Sequence, residues 1–433
     1  MPVRGRAAQL KVRGGFFSRG RGGVIAGGTG LTRNKILVVE STTAGGMGAG
    51  KARVEAISIE GLAMVHALVI DAVEGQFEVH AMLQEDIATL PRLPPATDVH
   101  WHRIRSGIDV QDAIKEIAPS MDYSFVVAPE FGGYLDRYTC TIESLGCTVL
   151  SQPSSAVIAA SDKAGALGRL SRNHVCVPTT QTISEFAAYP ATRYPVVVKP
   201  NHGAGSVGVF LARDATDLDA AVAADEQLSF PREELIVQEF ITGIPLSASV
   251  IATPYGVDLL GINEQDVILS SAKDSGSKYR GGVAGALHPE LAVAIERIAR
   301  AAANEFQLRG YFGFDFILDP RGVPVVVEVN PRLTTSFAGL KLLHRGSMLR
   351  FMADMLASKK VERPWRPDTG FVAYQVIELP GSREISLGSL HPPATQDIIT
   401  ISSPGGGISA FVAAKGTSKT QAIDNMNQLA ASL

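Results

Sequence analysis

The sequence predicts a mixed α/β and α+β protein. It reads as an N-terminal doubly wound domain, a second domain built on antiparallel strands, and a small C-terminal β-rich segment. Three stretches carry this reading. Residues 35–72 run strand, glycine-rich loop, helix, which is how a doubly wound domain opens. Residues 194–208 give a short apolar strand with a single lysine, followed at once by a Gly/Ser loop. Residues 310–332 give two apolar runs around a four-residue turn, with acidic and amide side chains repeating on one face.

At 433 residues the chain is too long for one ordinary core, so two to four domains are expected. A hydrophobic share of 45% with 43 Gly and 24 Pro fits a folded globular protein and excludes fibrous or disordered classes. No apolar run approaches the ~18 residues of a membrane span, so no membrane partner is expected. Cys140, Cys147 and Cys176 form no CxxC pair and are odd in number. That excludes a disulfide scaffold or thiolate metal site and points to a reducing, cytoplasmic setting.

Residues 1–34 are basic and Gly-rich, without a periodic apolar pattern or a signal-peptide core. Residues 1–35 hold eight Lys or Arg and no acid, leaving the remainder at −11 against a net charge of −3. This leader is expected to be disordered and outside the fold. A nucleic-acid arm, an organellar leader or a start codon placed too far upstream would read the same way. No nucleic-acid partner is expected for the rest.

Residues 35–150 form the first expected domain. Lys35-Ile-Leu-Val-Val-Glu40 is a buried strand, Thr43-Ala-Gly-Gly-Met-Gly-Ala-Gly50 a glycine loop, and residues 57–72 a helix. The glycine loop alone is weak grounds for phosphate binding and fits a flexible turn as well. Apolar runs at 123–128 and 147–151 alternate with helical segments, as in βαβ units.

The second domain is expected over residues 151–362. A helix from Ser154 carries Lys163, and the strand at 194–200 carries Lys199. A buried lysine needs a counter-charge. The loop after it, with Gly203, Gly205 and Ser206, offers backbone amides that can cradle phosphate oxygens. It matches neither a Walker A nor a GxGxxG pattern. Residues 235–241 form another strand, 247–260 a hairpin around Pro254-Tyr-Gly256, and 291–306 an amphipathic helix. Residues 270–285, rich in Gly and Ser, read as a mobile loop and a candidate lid.

Alternation over 310–318 puts Phe312, Phe314, Phe316 and Leu318 on one face and Asp315 on the other. In the partner run Val325, Val327 and Val329 share a face, with Glu328 and Asn330 opposite. If Leu318 pairs with Val323, Asp315 lies opposite Val326 and diagonal to Glu328. Asp315, Glu328 and Asn330 then offer three oxygen ligands, a set that suits Mg²⁺. Two carboxylates on an exposed edge hairpin would give the same pattern. Beyond residue 363, strands at 371–378, 397–402 and 408–414 and a helix at 421–433 read as a β-rich cap on the preceding domain.

Lys199 with its Gly-rich loop, the Gln238-Glu-Phe-Ile241 hinge, and the Gly313-Phe-Asp315 and Val327-Glu-Val-Asn-Pro-Arg332 pair together resemble the ATP-grasp superfamily. The resemblance spans Lys163 to Arg332. It implies an ATP-grasp fold preceded by a pre-ATP-grasp domain. ATP would lie between two subdomains, with Lys163 and Lys199 on the phosphates and residues 203–208 closing over them. Gln238, Glu239, Phe240 and Ile241 would hold the adenine. Asp315, Glu328 and Asn330 would hold Mg²⁺, with Mn²⁺ an alternative, and Arg332 would join Lys199 at the transferred phosphate. No acid follows the hinge where relatives place one for the ribose; Gly243-Ile-Pro-Leu246 stands there.

Val38-Val-Glu40, Ile59-Glu-Gly-Leu-Ala-Met64, Val127-Ala-Pro-Glu130, Asn263-Glu-Gln265 and Asn330-Pro-Arg-Leu-Thr-Thr335 are similar to a smaller group, the tyramine–glutamate ligases of methanofuran biosynthesis. The similarity covers roughly residues 35–345 and departs at Glu264, where relatives place Arg. It implies an ADP-forming carboxylate–amine ligase working through an acyl phosphate, with small-molecule carboxylate and amine partners. Substrate contacts are expected from Glu40, Glu130, Asn263 and Arg280. A homodimer is compatible with this reading. A kinase acting on a hydroxyl, or a carboxylase-like enzyme, are the alternatives; no biotin-attachment module is visible for the latter.

Overall fold

The computed structural model describes residues 33–46, 51–85, 87, 99–105, 107–274, 276–285, 289–357, 366–367, 369–379, 396–402 and 408–433, with side chains 51–57, 289, 366–367, 397–402 and 408 left aside. The leader at 1–32 and residues 47–50 of the first glycine loop lie outside this set.

The N-terminal part is a parallel sheet. Its elements are β1 (Lys35–Glu40), α1 (Lys51–Glu74), β2 (Glu78–Gln84), β3 (Val99–Ile104), α2 (Val110–Ile117), β4 (Tyr123–Val127), α3 (Tyr134–Ser144) and β5 (Thr148–Val149). The strand order is β3-β2-β1-β4-β5, so the order reverses at β1. Ligands of doubly wound sheets gather at the carboxyl ends of the strands at such a switch point. Glu40 is the last residue of β1 and stands there. α1 starts six residues earlier than its apolar spacing suggests and is buried around most of its girth, Ile59, Leu62, Val65, Leu68 and Val69 all being below 3% exposed.

Next come α4 (Ser154–Ser161), α5 (Lys163–Arg172), β6 (Thr180–Thr182), α6 (Ile183–Ala188), β7 (Val196–Pro200), β8 (Phe210–Ala212), α7 (Ala215–Gln227) and β9 (Leu235–Glu239). The four strands form an antiparallel sheet in the order β6-β9-β7-β8. The start of α5 is fixed from two sides. Asp162 caps it by accepting from Gly165 N at 3.0 Å, and Asn201, just past β7, donates to Asp162 at 2.8 Å and accepts from Ala164 N at 2.9 Å. This clamp sets Lys163, the first residue of α5, beside the end of β7, where Lys199 sits.

The remaining elements are β10 (Ile244–Thr253), β11 (Gly256–Ile268), β12 (Lys278–Ala284), α8 (Pro289–Phe306), β13 (Gly310–Leu318), β14 (Pro324–Asn330), α9 (Ser336–Leu343), β15 (His344–Arg345), α10 (Met348–Leu356), β16 (Arg366–Pro367), β17 (Phe371–Leu379), β18 (Gln396–Ser402), β19 (Ile408–Gly416) and α11 (Lys419–Ala431). Eight strands form one antiparallel sheet, β14-β13-β10-β11-β12-β17-β19-β18. The C-terminal strands therefore continue the sheet of the second domain through the β12–β17 pair rather than forming a cap of their own.

Two further expectations are corrected. Residues 278–284 are not a mobile loop: they form β12, paired with β11 on one side and β17 on the other. The β13–β14 register also differs, with Leu318 facing Pro324 and a bulge that brings Asp315 directly opposite Glu328. Val327 is the extra residue of the bulge, so it leaves the valine face and lines the cavity, while Val326 and Val329 go to the core. On β13 the alternation holds. Phe312, Phe314 and Phe316 are at most 1% exposed under α8, each contributing about 1.5–3 kcal/mol by burial.

α1 joins the N-terminal sheet to the rest. Buried Asp71 accepts from Lys341 at 3.0 Å, from Ser347 Oγ, and from the backbone N–H groups of Met348 and Leu349. Its charge thus serves the amino end of α10 as an anion at a helix N-terminus. Among the described residues no helix is long and apolar enough to cross a membrane.

Candidate active site

A cavity of about 500 Å³ opens where the carboxyl end of β1, the four-stranded sheet and the eight-stranded sheet meet. Asp315, Glu328, Asn330, Arg332, Lys163 and Lys199 all line it, as do Gly203, Gly205, Ser206 and Gln238 to Ile241.

The bulge at Val327 organises the floor. It places the two carboxylates face to face and frees the Val327 carbonyl, which accepts from Lys199 Nζ at 3.2 Å and Gln238 Nε2 at 3.4 Å. Asp315 accepts from Gln265 Nε2 at 3.0 Å and Asn330 Nδ2 at 3.1 Å. Glu328 lies 3.7 Å from Lys163 Nζ and 3.6 Å from Lys199 Nζ. Burial, and then the neighbouring Glu328 charge, push the Asp315 carboxyl up. Burial works against the Glu328 charge too, but Lys163, Lys199 and Arg332 outweigh it and hold that carboxyl below its ordinary value. Burial lowers Lys199, opposed mainly by Glu328. Two half-buried carboxylates side by side repel each other, and a divalent cation between them would relieve that repulsion. The oxygen donors of Asp315, Glu328 and Asn330 therefore fit a Mg²⁺ ion.

The phosphate side is built from the 201–208 loop. Lys163 Nζ donates to the Gly203 carbonyl at 2.8 Å, tying the loop to α5. Gly205 and Ser206 both take the left-handed conformation, φ +64° and +59°, which turns the loop back over the lysines. The hinge wall is apolar, with Val197, Leu211, Val267, Leu269 and Ile317. The Gln238 side chain donates to Thr180 Oγ1 at 3.3 Å and to the Val327 carbonyl at 3.4 Å, tying the hinge strand to β6 and β14.

Arg332 is largely covered, and its Nε donates to Glu130 Oε1 at 2.9 Å. Burial opposes its charge; Glu130, Glu328 and Asp315 more than compensate and raise it. At the far end, Glu40 accepts from Thr42 Oγ1 at 2.7 Å and Thr43 N at 2.8 Å. Burial nevertheless raises its carboxyl. A Cβ on Gly61 of α1 would collide with the Glu40 carboxylate and Thr42, so this close packing needs glycine.

Three expected substrate contacts are placed elsewhere. Glu130 does not line the cavity; it holds Arg332 from behind. Asn263 is fully buried and donates to Ser247 and Ser249, one layer behind the wall. Arg280 is on the surface, bonded to Asp266 at 2.8 Å. Glu264 also turns away, to an ion pair with Lys419 of α11. Conversely, Glu60, Gln265, Tyr279 and Thr335 line the cavity without having been singled out. Thr335 Oγ1 donates to Glu60 Oε2 at 2.6 Å, and burial, against that bond and Arg332, pushes the Glu60 carboxyl up to about 7. Glu60, Gln265 and Thr335 fall inside sequence segments quoted for the subgroup similarity; nothing in the pattern of Tyr279 marks it.

Residues 160–336 match the ATP-grasp domain and residues 87–157 the pre ATP-grasp 3 domain. A D-alanine–D-alanine ligase of Lawsonia intracellularis is 27% identical over 229 residues, 51% of this chain and 72% of that protein. A tyramine–L-glutamate ligase of Methanocaldococcus jannaschii is 26% identical over 241 residues, 55% of this chain and 65% of that protein. Among solved structures, the L-amino acid ligase from Bacillus licheniformis superposes with a TM-score of 0.63 at 16% identity, covering 92% of this chain and 97% of that one. The biotin carboxylase from Campylobacter jejuni gives 0.66 at 15%, covering 90% and 89%. These last two likenesses concern the fold.

Proposed function

The chain is an ATP-grasp protein with a pre-ATP-grasp domain ahead of it, and from that premise we propose that it is an ADP-forming carboxylate–amine ligase. One arrangement carries the reading: the Asp315–Glu328 pair, the cations Lys163, Lys199 and Arg332, and the acids Glu40 and Glu60 all face a single cavity. In this reaction a donor carboxylate oxygen bonds to the γ-phosphorus of ATP and ADP leaves. The amine nitrogen then bonds to the acyl carbon and phosphate leaves. Asp315, Glu328 and Asn330 would hold Mg²⁺, which supplies charge neutralisation on the phosphates when bound. Lys163, Lys199 and Arg332 spread the negative charge that develops on the transferring group. The acyl phosphate hydrolyses in water, so the reaction requires the site to exclude water while that intermediate exists.

For the substrates, we infer glutamate as acyl donor and tyramine or a related aralkyl amine as acceptor. The similarity to tyramine–L-glutamate ligases supports it, as do two acids at the β1 end that suit an ammonium group. Glu60, with its carboxyl near neutrality, has the basicity to take the ammonium proton. Glu264, which would repel a donor carboxylate, is turned toward Lys419 instead. The test is an isotope experiment: glutamate labelled with oxygen-18 in its carboxylates is turned over with ATP and tyramine. Label in the released phosphate supports the acyl phosphate; unlabelled phosphate with amide formed excludes it.

A further inference from the structure

The parallel sheet carries a second constellation at the end opposite the cavity. Period-two alternation sends Val79, Ala81 and Leu83 of β2 into the core beneath α1. It leaves Glu78 and His80 on the other face, next to His100 and His102 of edge strand β3. His80 stacks on His100 at 4.6 Å between ring centroids and on His102 at 5.2 Å. Glu78 Oε1 lies 3.1 Å from His80 Nε2 and 3.8 Å from His100 Nε2, and the three ligand atoms all fall within 4.8 Å of one another.

We propose that Glu78, His80 and His100 form a transition-metal site, with Zn²⁺ the fitting ion. Zinc bonds of ~2.0–2.1 Å at tetrahedral angles separate neighbouring ligand atoms by about 3.4 Å. The two oxygen–nitrogen separations, 3.1 and 3.8 Å, bracket that value. Two imidazoles and a carboxylate form a borderline donor set that favours zinc over Mg²⁺. His102 completes the arrangement from behind: its Nε2 is 2.9 Å from His80 Nδ1, so it can accept that proton and leave His80 Nε2 free for metal. Lys35 Nζ sits 3.2 Å from Glu78 Oε1, but its side chain is 42% exposed and can swing to solvent. His100, 55% exposed, leaves the fourth position open to water. Glu40 is five residues along β1 from Lys35, roughly 16 Å away, so the site pins the sheet's edge and takes no part in chemistry at the cavity.

The test uses untagged full-length protein, stripped with chelator and held in excess Mg²⁺. Zinc is titrated by calorimetry and bound metal counted by mass spectrometry. One zinc per chain is expected in the wild type and equally in Asp315→Asn, with a rise in melting temperature. His100→Ala, a surface change that should leave ATP turnover unaltered, is expected to weaken zinc at least about tenfold. Cobalt substitution gives an independent readout, a four-coordinate visible band in the wild type that His100→Ala and His80→Gln lose. Zinc bound as tightly by His100→Ala as by the wild type, or no zinc bound by the wild type, overturns the proposal.

Discussion

Arg332 Nε donates to Glu130 Oε1 at 2.9 Å, joining residues 202 positions apart across the seam between the parallel sheet and the eight-stranded sheet. Both side chains are largely buried, at 12% and 2% exposure. The pair lets a cation face the cavity without an uncompensated charge behind it. Removing one member of such a pair costs about 3–5 kcal/mol. Glu130→Gln is therefore expected to lose stability of that order in urea denaturation and to lose turnover as Arg332 drifts. A variant as stable and active as the wild type would show that Glu130 does not position Arg332.

The facing carboxylates make a different prediction. Asp315→Asn removes one of two facing, half-buried like charges, so the ligand-free protein should be as stable as the wild type or more so. Turnover should nevertheless fall by about a hundredfold or more, in Asp315→Asn and in Glu328→Gln alike. Thermal melts and steady-state rates at saturating Mg²⁺ separate the two effects. Near-wild-type rates in both variants would remove the metal role of the hairpin.

Lys199→Met keeps the apolar stem and deletes the ammonium, leaving Lys163 beside Glu328. Melting without ligand should change little. The upward shift that ATP causes should vanish, because stabilisation follows occupancy of the native state. An undiminished shift would place the phosphates elsewhere.

Glu60 gives the chain a pH signature. Its carboxyl is pushed from 4.5 when unfolded to about 7 when folded. Its contribution is thus fully present below about pH 4.5 and is lost as pH rises through about 7. Glu60→Gln stays neutral throughout, so its stability relative to the wild type should grow by up to about 3 kcal/mol between about pH 4 and pH 8. Ligand-free denaturation at the two pH values measures it; a flat difference means Glu60 titrates normally.

Much of this site is legible in the sequence because its parts lie on short strands whose alternation is visible. Lys199 and the 310–332 hairpin are local patterns of this kind. The bulge is not legible: Val325, Val326 and Val327 are chemically alike, so the run fits either register, and the tie between Lys199 and the Val327 carbonyl decides it only in three dimensions. Residues 270–285 misled for a related reason. Gly281 and Gly282 signal flexibility in a sequence, but here they sit inside β12 because a Cβ at either would strike the Tyr374 or Glu264 carbonyl. Arg280 consequently points outward with the strand. Glu60 was hidden because α1 is buried on nearly every side, so a single acid in it breaks no face. The continuation of the sheet through β17 rests on backbone pairing between segments about 90 residues apart, which no local pattern reports.

The central claim is that this cavity joins a carboxylate to an amine at the expense of ATP. The direct measurement is to incubate the purified chain with ATP, Mg²⁺, glutamate and a panel of amines, following ADP and the coupled product by mass. The account predicts ADP release that requires both a carboxylate and an amine, with an amide as product and tyramine among the amines accepted. ADP release with a carboxylate and an amine other than tyramine would keep the ligase and replace its acceptor. A phosphorylated hydroxyl compound as the stable product, formed without any amine, would contradict it.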